Sequence, residues 1–159
     1  MHNNLNCSSV NTPWLLRNYS PCSNPVVRYF KNVARRIKDQ NIVIVEDDSA
    51  VSGTLETYFS AQNGVRAYAS AEEAIAAEAS FNDTDVFIID YKLPGKNGVE
   101  LFQHLRSSFP GAKYILITGE MNYDLAEGTR QIGFDALILK PFDVTILDDN
   151  ISALIAAAA

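Results

Sequence analysis

The chain has 159 residues, of which 47% are hydrophobic and 20% are charged, so it is long enough for one globular domain with an extension. It contains no apolar run of about 18 residues and no signal-peptide pattern at its N-terminus, which argues against a membrane span or secretion and favours the cytoplasm. Cys7 and Cys22 share no metal-ligand spacing with each other or with His2. We therefore expect free thiols.

The formal net charge of -6 is unevenly distributed along the chain. Residues 1–40 carry six basic side chains and one acid, Asp39, whereas the remainder carries seven bases and eighteen acids. Residues 1–25 are rich in Asn, Ser and Pro, which offer little surface to bury and predict a disordered arm. The composition changes near Asn41.

Residues 26–40 predict a basic amphipathic helix or linker. Between basic residues, apolar side chains recur at spacings of three and four, namely Val26, Val27, Phe30, Val33, Ala34 and Ile37. Such a helix could dock on the acidic domain, lie on an anionic membrane or mediate pairing. Local packing is the simplest interpretation and argues against a membrane or nucleic-acid role, while the shortage of acids leaves an organellar transit peptide open.

Beyond Asn41, short apolar runs alternate with segments of helical pattern. The runs predict strands over 42–45, 65–69, 86–89, 114–117 and 136–139, and the segments between them predict helices over 49–61, 70–80, 98–108, 122–132 and from 144 onward. Because the strands are apolar throughout, we expect them to be buried on both faces. Five repeats of strand and helix predict a parallel sheet with helices on either side.

Polar residues directly follow four of these strands, where the ends of parallel strands meet in one crevice. Glu46 and Asp47 follow the first strand, Asp90 the third, Thr118 the fourth and Lys140 the fifth. A Mg²⁺ ion prefers one or two carboxylates together with waters and phosphate oxygens. Direct ligation by Asp47 and Asp90, with Glu46 acting through water, would therefore be enough to bind Mg²⁺.

These residue types also suit phosphoryl transfer. Asp90 beside a metal becomes a candidate nucleophile, since a carboxylate can accept a phosphoryl group as an acyl phosphate. Thr118 offers a hydroxyl donor to a phosphoryl oxygen, and Lys140 offers a positive point charge. Asp48 is assigned to the cap of the following helix. Each residue alone is often structural, but their combination at successive strand ends predicts a site.

Four motifs resemble the receiver domain of two-component response regulators: residues 45–48 (VEDD), 89–98 (IDYKLPGKNG), 117–119 (ITG) and 139–142 (LKPF). The resemblance covers roughly residues 41–155 and leaves a C-terminal tail at 156–159. It implies a flavodoxin-like (βα)5 fold, a doubly wound five-stranded parallel sheet in the order 2-1-3-4-5, here with an N-terminal extension.

The resemblance also implies residue roles. Asp90 is similar to the phosphoacceptor, and Thr118 and Lys140 to the switch hydroxyl and the phosphate-sensing lysine. Mg²⁺ would be held by Glu46, Asp47, Asp90 and the backbone carbonyl of Lys92. The Lys140–Pro141 peptide bond is expected to be cis, as in that family.

The implied function is a signalling switch rather than an enzyme with turnover. A histidine kinase or histidine phosphotransfer protein would donate the phosphoryl group to Asp90, and the face of helix 4, strand 5 and helix 5 would change, with possible homodimerisation and no direct nucleic-acid binding. A degenerate receiver that acts as a binding platform is an alternative. A metal-dependent phosphatase is disfavoured because Lys92 stands where a second acid is commonly needed. An output domain beyond the chain is left open.

Two further positions are expected to modulate the switch. The family usually has an aromatic residue where Leu137 stands, so we expect coupling through backbone shifts of helix 4 and strand 5 instead. Lys92 and Glu120 lie two residues beyond Asp90 and Thr118, and their opposite charges predict an ion pair that hinders hydrolysis of the acyl phosphate. Solvated surface charges are a nearly equal alternative for this pair.

Overall fold

The computed structural model describes residues 37–120 and 123–157. Within them, five parallel strands form one sheet in the order β2-β1-β3-β4-β5, which confirms the predicted flavodoxin-like topology. The predictions for residues 1–36, including the arm, the free thiols of Cys7 and Cys22 and most of the basic helix, lie outside the described residues. The same holds for residues 158–159.

The strands and helices alternate along the described chain. The strands are β1 Asn41–Val45, β2 Gly64–Tyr68, β3 Val86–Asp90, β4 Lys113–Thr118 and β5 Ala136–Leu139. The helices are α1 Ser49–Phe59, α2 Ala71–Ala76, α3 Gly98–Ser108, α4 Tyr123–Ile132 and α5 Val144–Ala156. Each predicted element is present, with boundaries that move by one or two residues except at the second helix.

The second helix is shorter than the predicted span of 70–80. It ends at Ala76, and a 3₁₀ turn over Glu78–Ser80 follows. The Ala77 amide donates to both the Glu73 and the Ala74 carbonyl oxygens, each at 3.1 Å, which tightens the helix from the α to the 3₁₀ pattern. Phe81 follows the turn and is fully buried, so burial of this ring accompanies the early helix end.

Side-chain caps start the helices that follow β1 and β3. Asp48 accepts from the amides of Ala50 and Val51 at 2.8 and 3.4 Å and caps α1 as predicted. Asn97 and Glu100 form a reciprocal capping box at the start of α3. The caps fix where α1 and α3 begin. They therefore fix the length of the loops between β1 and α1 and between β3 and α3, which border the crevice at the strand ends.

The core lies in two layers, one on each face of the sheet. On one face, α1 and α5 pack against alternate strand residues such as Ile42, Ile44 and Ile88. On the other, α2, α3 and α4 pack against the intervening residues, among them Val43 and Phe87. All five of these strand side chains are 0–1% exposed, which explains why the strands are apolar throughout. No helix within 37–120 or 123–157 is long and apolar enough to cross a membrane.

Candidate functional site

The ends of β1, β3 and β5 bring three charged side chains into direct contact. The Lys140 Nζ atom lies 2.7 Å from Asp90 Oδ1 and 2.9 and 2.7 Å from the two Glu46 carboxylate oxygens. Glu46 is 1% exposed and Asp90 is 4% exposed. The lysine therefore bridges two buried carboxylates, and the convergence expected from the strand ends is present.

Burial and ion pairing shift the pKa values of Glu46 and Lys140 in opposite directions. Burial raises the pKa of the Glu46 carboxyl, and the hydrogen bond from Lys140 only partly offsets that rise. For Lys140, burial lowers the pKa, but hydrogen bonds to Asp90 and Glu46 outweigh burial and the net shift is upward. Lys140 is therefore held in its protonated form, as a fixed positive charge beside Asp90.

Asp47 completes an acidic cluster at the mouth of the crevice. Glu46, Asp47 and Asp90 each offer a carboxylate oxygen, and these atoms all lie within 4.8 Å of one another. Asp47 is exposed, whereas the other two are buried. Three carboxylates against one lysine leave an excess of negative charge, and carboxylate oxygens are the ligands that Mg²⁺ prefers, so this donor set fits the ion.

Thr118 ends β4 and is 1% exposed. Its Oγ1 atom accepts a hydrogen bond from the Glu120 amide at 3.1 Å, and its carbonyl oxygen accepts one from the Lys140 amide at 2.7 Å. The predicted hydroxyl donor and the predicted lysine are thus joined through their backbones. The Lys140–Pro141 bond is cis, as expected.

The loop between β3 and α3 is fastened to Asp90. The Lys92 amide donates to Asp90 Oδ2 at 2.8 Å, which places Lys92 beside the acidic cluster. The role of the Lys92 carbonyl as a metal ligand stays a prediction. Lys92 Nζ lies 2.5 Å from Glu120 Oε1, so the predicted ion pair forms, and its hydrogen bond raises the pKa of Lys92. These side chains are 67% and 51% exposed.

Two positions that hold this loop carry roles that sequence reasoning missed. A Cβ atom on Gly98 would lie 2.2 Å from the Asp90 carbonyl oxygen, so α3 can start this close to the strand only with glycine. Glu72 in α2 accepts from the Lys96 amide at 3.2 Å and fastens the far side of the loop. The Asn-Gly pair at the start of α3 is a sequence pattern that could have pointed to Gly98. Glu72 lies 24 residues from Lys96, and no sequence pattern points to its contact with the loop.

Leu137 lies in the middle of β5 and is 4% exposed. It belongs to the core layer that also contains Ala126 of α4 and Phe134. It is therefore packed against the α4 side of the sheet, where the coupling was expected. Its part in a switch stays a proposal.

Comparison with known proteins identifies the family. The profile described as the response regulator receiver domain matches residues 42–152. The chain is 31% identical over 116 residues to the two-component response regulator PhoP of Pseudomonas aeruginosa, covering 72% of this chain and 51% of that protein. It is 30% identical over 105 residues to the transcriptional regulatory protein MalR of Bacillus subtilis, covering 65% and 45%. The chain thus spans about half the length of these relatives.

Solved structures agree with this assignment. A CheY-like response regulator receiver domain protein from Methanospirillum hungatei is 27% identical with a TM-score of 0.69, covering 76% of this chain and 96% of that one. The CheY of a CheX-CheY-BeF3-Mg²⁺ complex from Borrelia burgdorferi shares the fold, with a TM-score of 0.68, 21% identity, and coverage of 74% and 90%. The chain belongs to the response regulator receiver domain family of two-component signalling.

Proposed function

We propose that this chain is a phosphoaccepting receiver. A histidine kinase or histidine phosphotransfer protein supplies phosphohistidine, a carboxylate oxygen of Asp90 forms the new O–P bond, and the N–P bond breaks with its electron pair returning to the imidazole. The observation that supports this most strongly is the contact of buried Asp90 with Lys140 beside Glu46 and Asp47.

The remaining residues orient and neutralise the transferred group. Lys140 offers its ammonium group to a phosphoryl oxygen, and Thr118 offers its hydroxyl. Glu46, Asp47, Asp90 and the Lys92 carbonyl would hold Mg²⁺, which when bound supplies charge neutralisation at the phosphoryl group. A phosphorylated Asp90 would compete with Glu46 for Lys140, whose amide is bonded to the Thr118 carbonyl. The proposed output is a change in the α4-β5-α5 face that alters partner binding or homodimerisation, without direct nucleic-acid binding.

Labelling with a small phosphodonor tests this function. The full chain is incubated with acetyl phosphate and Mg²⁺, and both intact mass and released phosphate are followed. We expect one added phosphoryl group that hydroxylamine removes, as an acyl phosphate requires. Continuous phosphate release would instead indicate a metal-dependent phosphatase, and no reaction would indicate a binding platform.

Asp47→Asn should weaken Mg²⁺ binding by about tenfold or more, since loss of a ligand costs at least as much as loss of an outer hydrogen-bond partner. Asp48→Asn is the matched control, because Asn caps a helix as well as Asp does and Asp48 already faces the α1 amides. Isothermal titration with Mg²⁺ compares the variants. Equal Mg²⁺ affinity of the two variants would show that Asp47 is not a ligand of the ion.

Lys92→Ala should shorten the lifetime of the acyl phosphate severalfold. Lys92 and Glu120 lie two residues beyond Asp90 and Thr118, so we expect their ion pair to hinder the approach of an attacking water to the acyl phosphate, while the exposure of both side chains limits the strength of the pair. Decay of labelled protein after removal of the phosphodonor gives the rate. Lys96→Ala, in the same loop, should leave the rate unchanged, and an unchanged half-life in Lys92→Ala would contradict the gating role.

Beryllofluoride binding should shift the amide signals of Leu137 and of the start of α4. Leu137 lacks the ring and hydroxyl of an aromatic switch, so we expect the change to pass through the backbone of β5 and the core layer that Leu137 shares with Ala126 of α4. Two-dimensional ¹⁵N spectra with and without beryllofluoride measure this. Signals near Leu137 and Asn122 that stay in place would contradict this route.

A further inference from the structure

The loop between β3 and α3 is attached at its start to the carboxylate that the proposed reaction changes. The Lys92 amide donates to Asp90 Oδ2 at 2.8 Å, while Asp90 Oδ1 contacts Lys140 Nζ at 2.7 Å. Both carboxylate oxygens therefore already have partners, and an O–P bond or a metal ion at either oxygen must share or displace one of them. A loop held only through Asp90 would lose part of its attachment during the reaction.

Farther along the loop, Glu72 of α2 provides an attachment that does not involve Asp90. Glu72 Oε1 accepts a hydrogen bond from the Lys96 amide at 3.2 Å. A Cβ atom on Gly95 would lie 2.7 Å from the same oxygen and 3.0 Å from Oε2, so the carboxylate lies directly against the backbone at this glycine. Gly95 is exposed and has a φ angle of +76°. Because glycine has wide conformational freedom, a contact at this point restricts the backbone of the loop.

The helix that carries Glu72 is itself fixed to the core. Ala71 and Ala74 of α2 are both 0% exposed and belong to the core layer on this face of the sheet. Leu93 of the loop is 8% exposed and belongs to the same layer. The loop and α2 therefore share a core layer, and Glu72 joins them again at the surface.

We propose that Glu72 is a positioning residue for the phosphoacceptor site. Its carboxylate holds the backbone of Gly95 and Lys96 against α2, and so keeps the loop that carries the Lys92 carbonyl in the arrangement that binds Mg²⁺ while the partners of Asp90 change. In this role Glu72 acts through the loop and is not itself a ligand of the ion. The inference rests on the proposed function, in which the Lys92 carbonyl is a metal ligand.

The size of the effect follows from the fraction of molecules in which the loop is correctly placed. The apparent dissociation constant for Mg²⁺ rises in proportion as that fraction falls. Glu72 is exposed, and a hydrogen bond that is open to water contributes only a small net stabilisation. Loss of the bond should therefore weaken Mg²⁺ binding by about two- to fivefold rather than abolish it.

The test is a titration of the ¹⁵N-labelled, unphosphorylated full chain with Mg²⁺, which gives the affinity and the loop signals together. Glu72→Ala should weaken Mg²⁺ binding by about two- to fivefold and should move the amide signals of Lys92 and Lys96 before any metal is added. Glu72→Gln should retain most of the wild-type affinity, because its side-chain carbonyl still accepts from the Lys96 amide.

Glu73→Ala is the matched control for this test. It removes the same charge from the same helix and also removes one hydrogen bond to a backbone amide, but that amide belongs to Ala69, 3.0 Å away, and not to the loop. Its Mg²⁺ affinity should equal that of the wild type. The comparison therefore separates the attachment of the loop from the charge and the stability of α2.

Equal Mg²⁺ affinity in Glu72→Ala and Glu73→Ala would overturn the proposal. Equal losses in Glu72→Ala and Glu72→Gln would also overturn it, because the missing charge and not the missing attachment would then explain the effect. No phosphodonor is present, so failure of acetyl phosphate to label a wild type that behaves as expected here would affect only the proposed function. A wild-type chain that binds no Mg²⁺ would overturn both.

Discussion

Asp90→Asn will abolish formation of the acyl phosphate. The amide that replaces the carboxylate is not a nucleophile toward phosphorus. Glu46, the other carboxylate that Lys140 contacts, is 1% exposed and bonded to the lysine through both oxygens, so it cannot take the place of Asp90. Intact-mass measurement after incubation with acetyl phosphate and Mg²⁺ should show no added phosphoryl group.

The matched control for this variant is Asp83→Asn. Asp83 is a surface acid that pairs with Arg66 at 3.0 Å, so the same change of carboxylate to amide occurs away from the crevice. Its labelling should equal that of the wild type. Circular dichroism of Asp90→Asn should remain native, because Lys140 keeps its pair with Glu46. Labelling of Asp90→Asn with wild-type yield would refute the assignment of the phosphoacceptor.

Gly98→Ala will destabilise the fold and impair labelling together. The added Cβ atom would lie 2.2 Å from the Asp90 carbonyl oxygen and 3.0 Å from Ile89 Cγ2, so the start of α3 or the end of β3 must move. Overpacking of this kind costs about 1–3 kcal/mol in the free energy of unfolding. A catalytic group displaced by about 1 Å can lose on the order of a hundredfold in rate, so labelling should slow as well.

Gly53→Ala is the matched glycine substitution, and we expect it to stabilise the fold rather than destabilise it. Within the described residues, no atom outside the neighbouring backbone of α1 lies within 4 Å of a Cβ at this position, so the change should stabilise the fold by about 0.5–1 kcal/mol through helix propensity. Urea denaturation measures the free energy of unfolding of both variants, and labelling with acetyl phosphate measures their rates of phosphorylation. If Gly98→Ala were as stable and as active as Gly53→Ala, close approach of α3 to Asp90 would not be required for the site.

Much of the fold was predictable because it depends on neighbours along the chain. Apolar runs, cap residues such as Asp48 and Asn97, and glycines near helix ends act within a few residues of one another, and the strand-end residues follow from the same periodicity. The shortened α2 was not predicted, because its end accompanies the burial of Phe81 among rings from distant parts of the chain, including Phe87 of β3 and Phe109 at the end of α3.

The sequence by itself determined the order of strands and helices, the residue types at the strand ends and the resemblance that implied their roles. Only the tertiary structure decided that Lys140 bridges Glu46, 94 residues away, and Asp90 at the same time, and that Gly98 must lack a side chain. Distances of this kind depend on strand register, sheet twist and helix packing, and these are set by the whole core rather than by any local pattern.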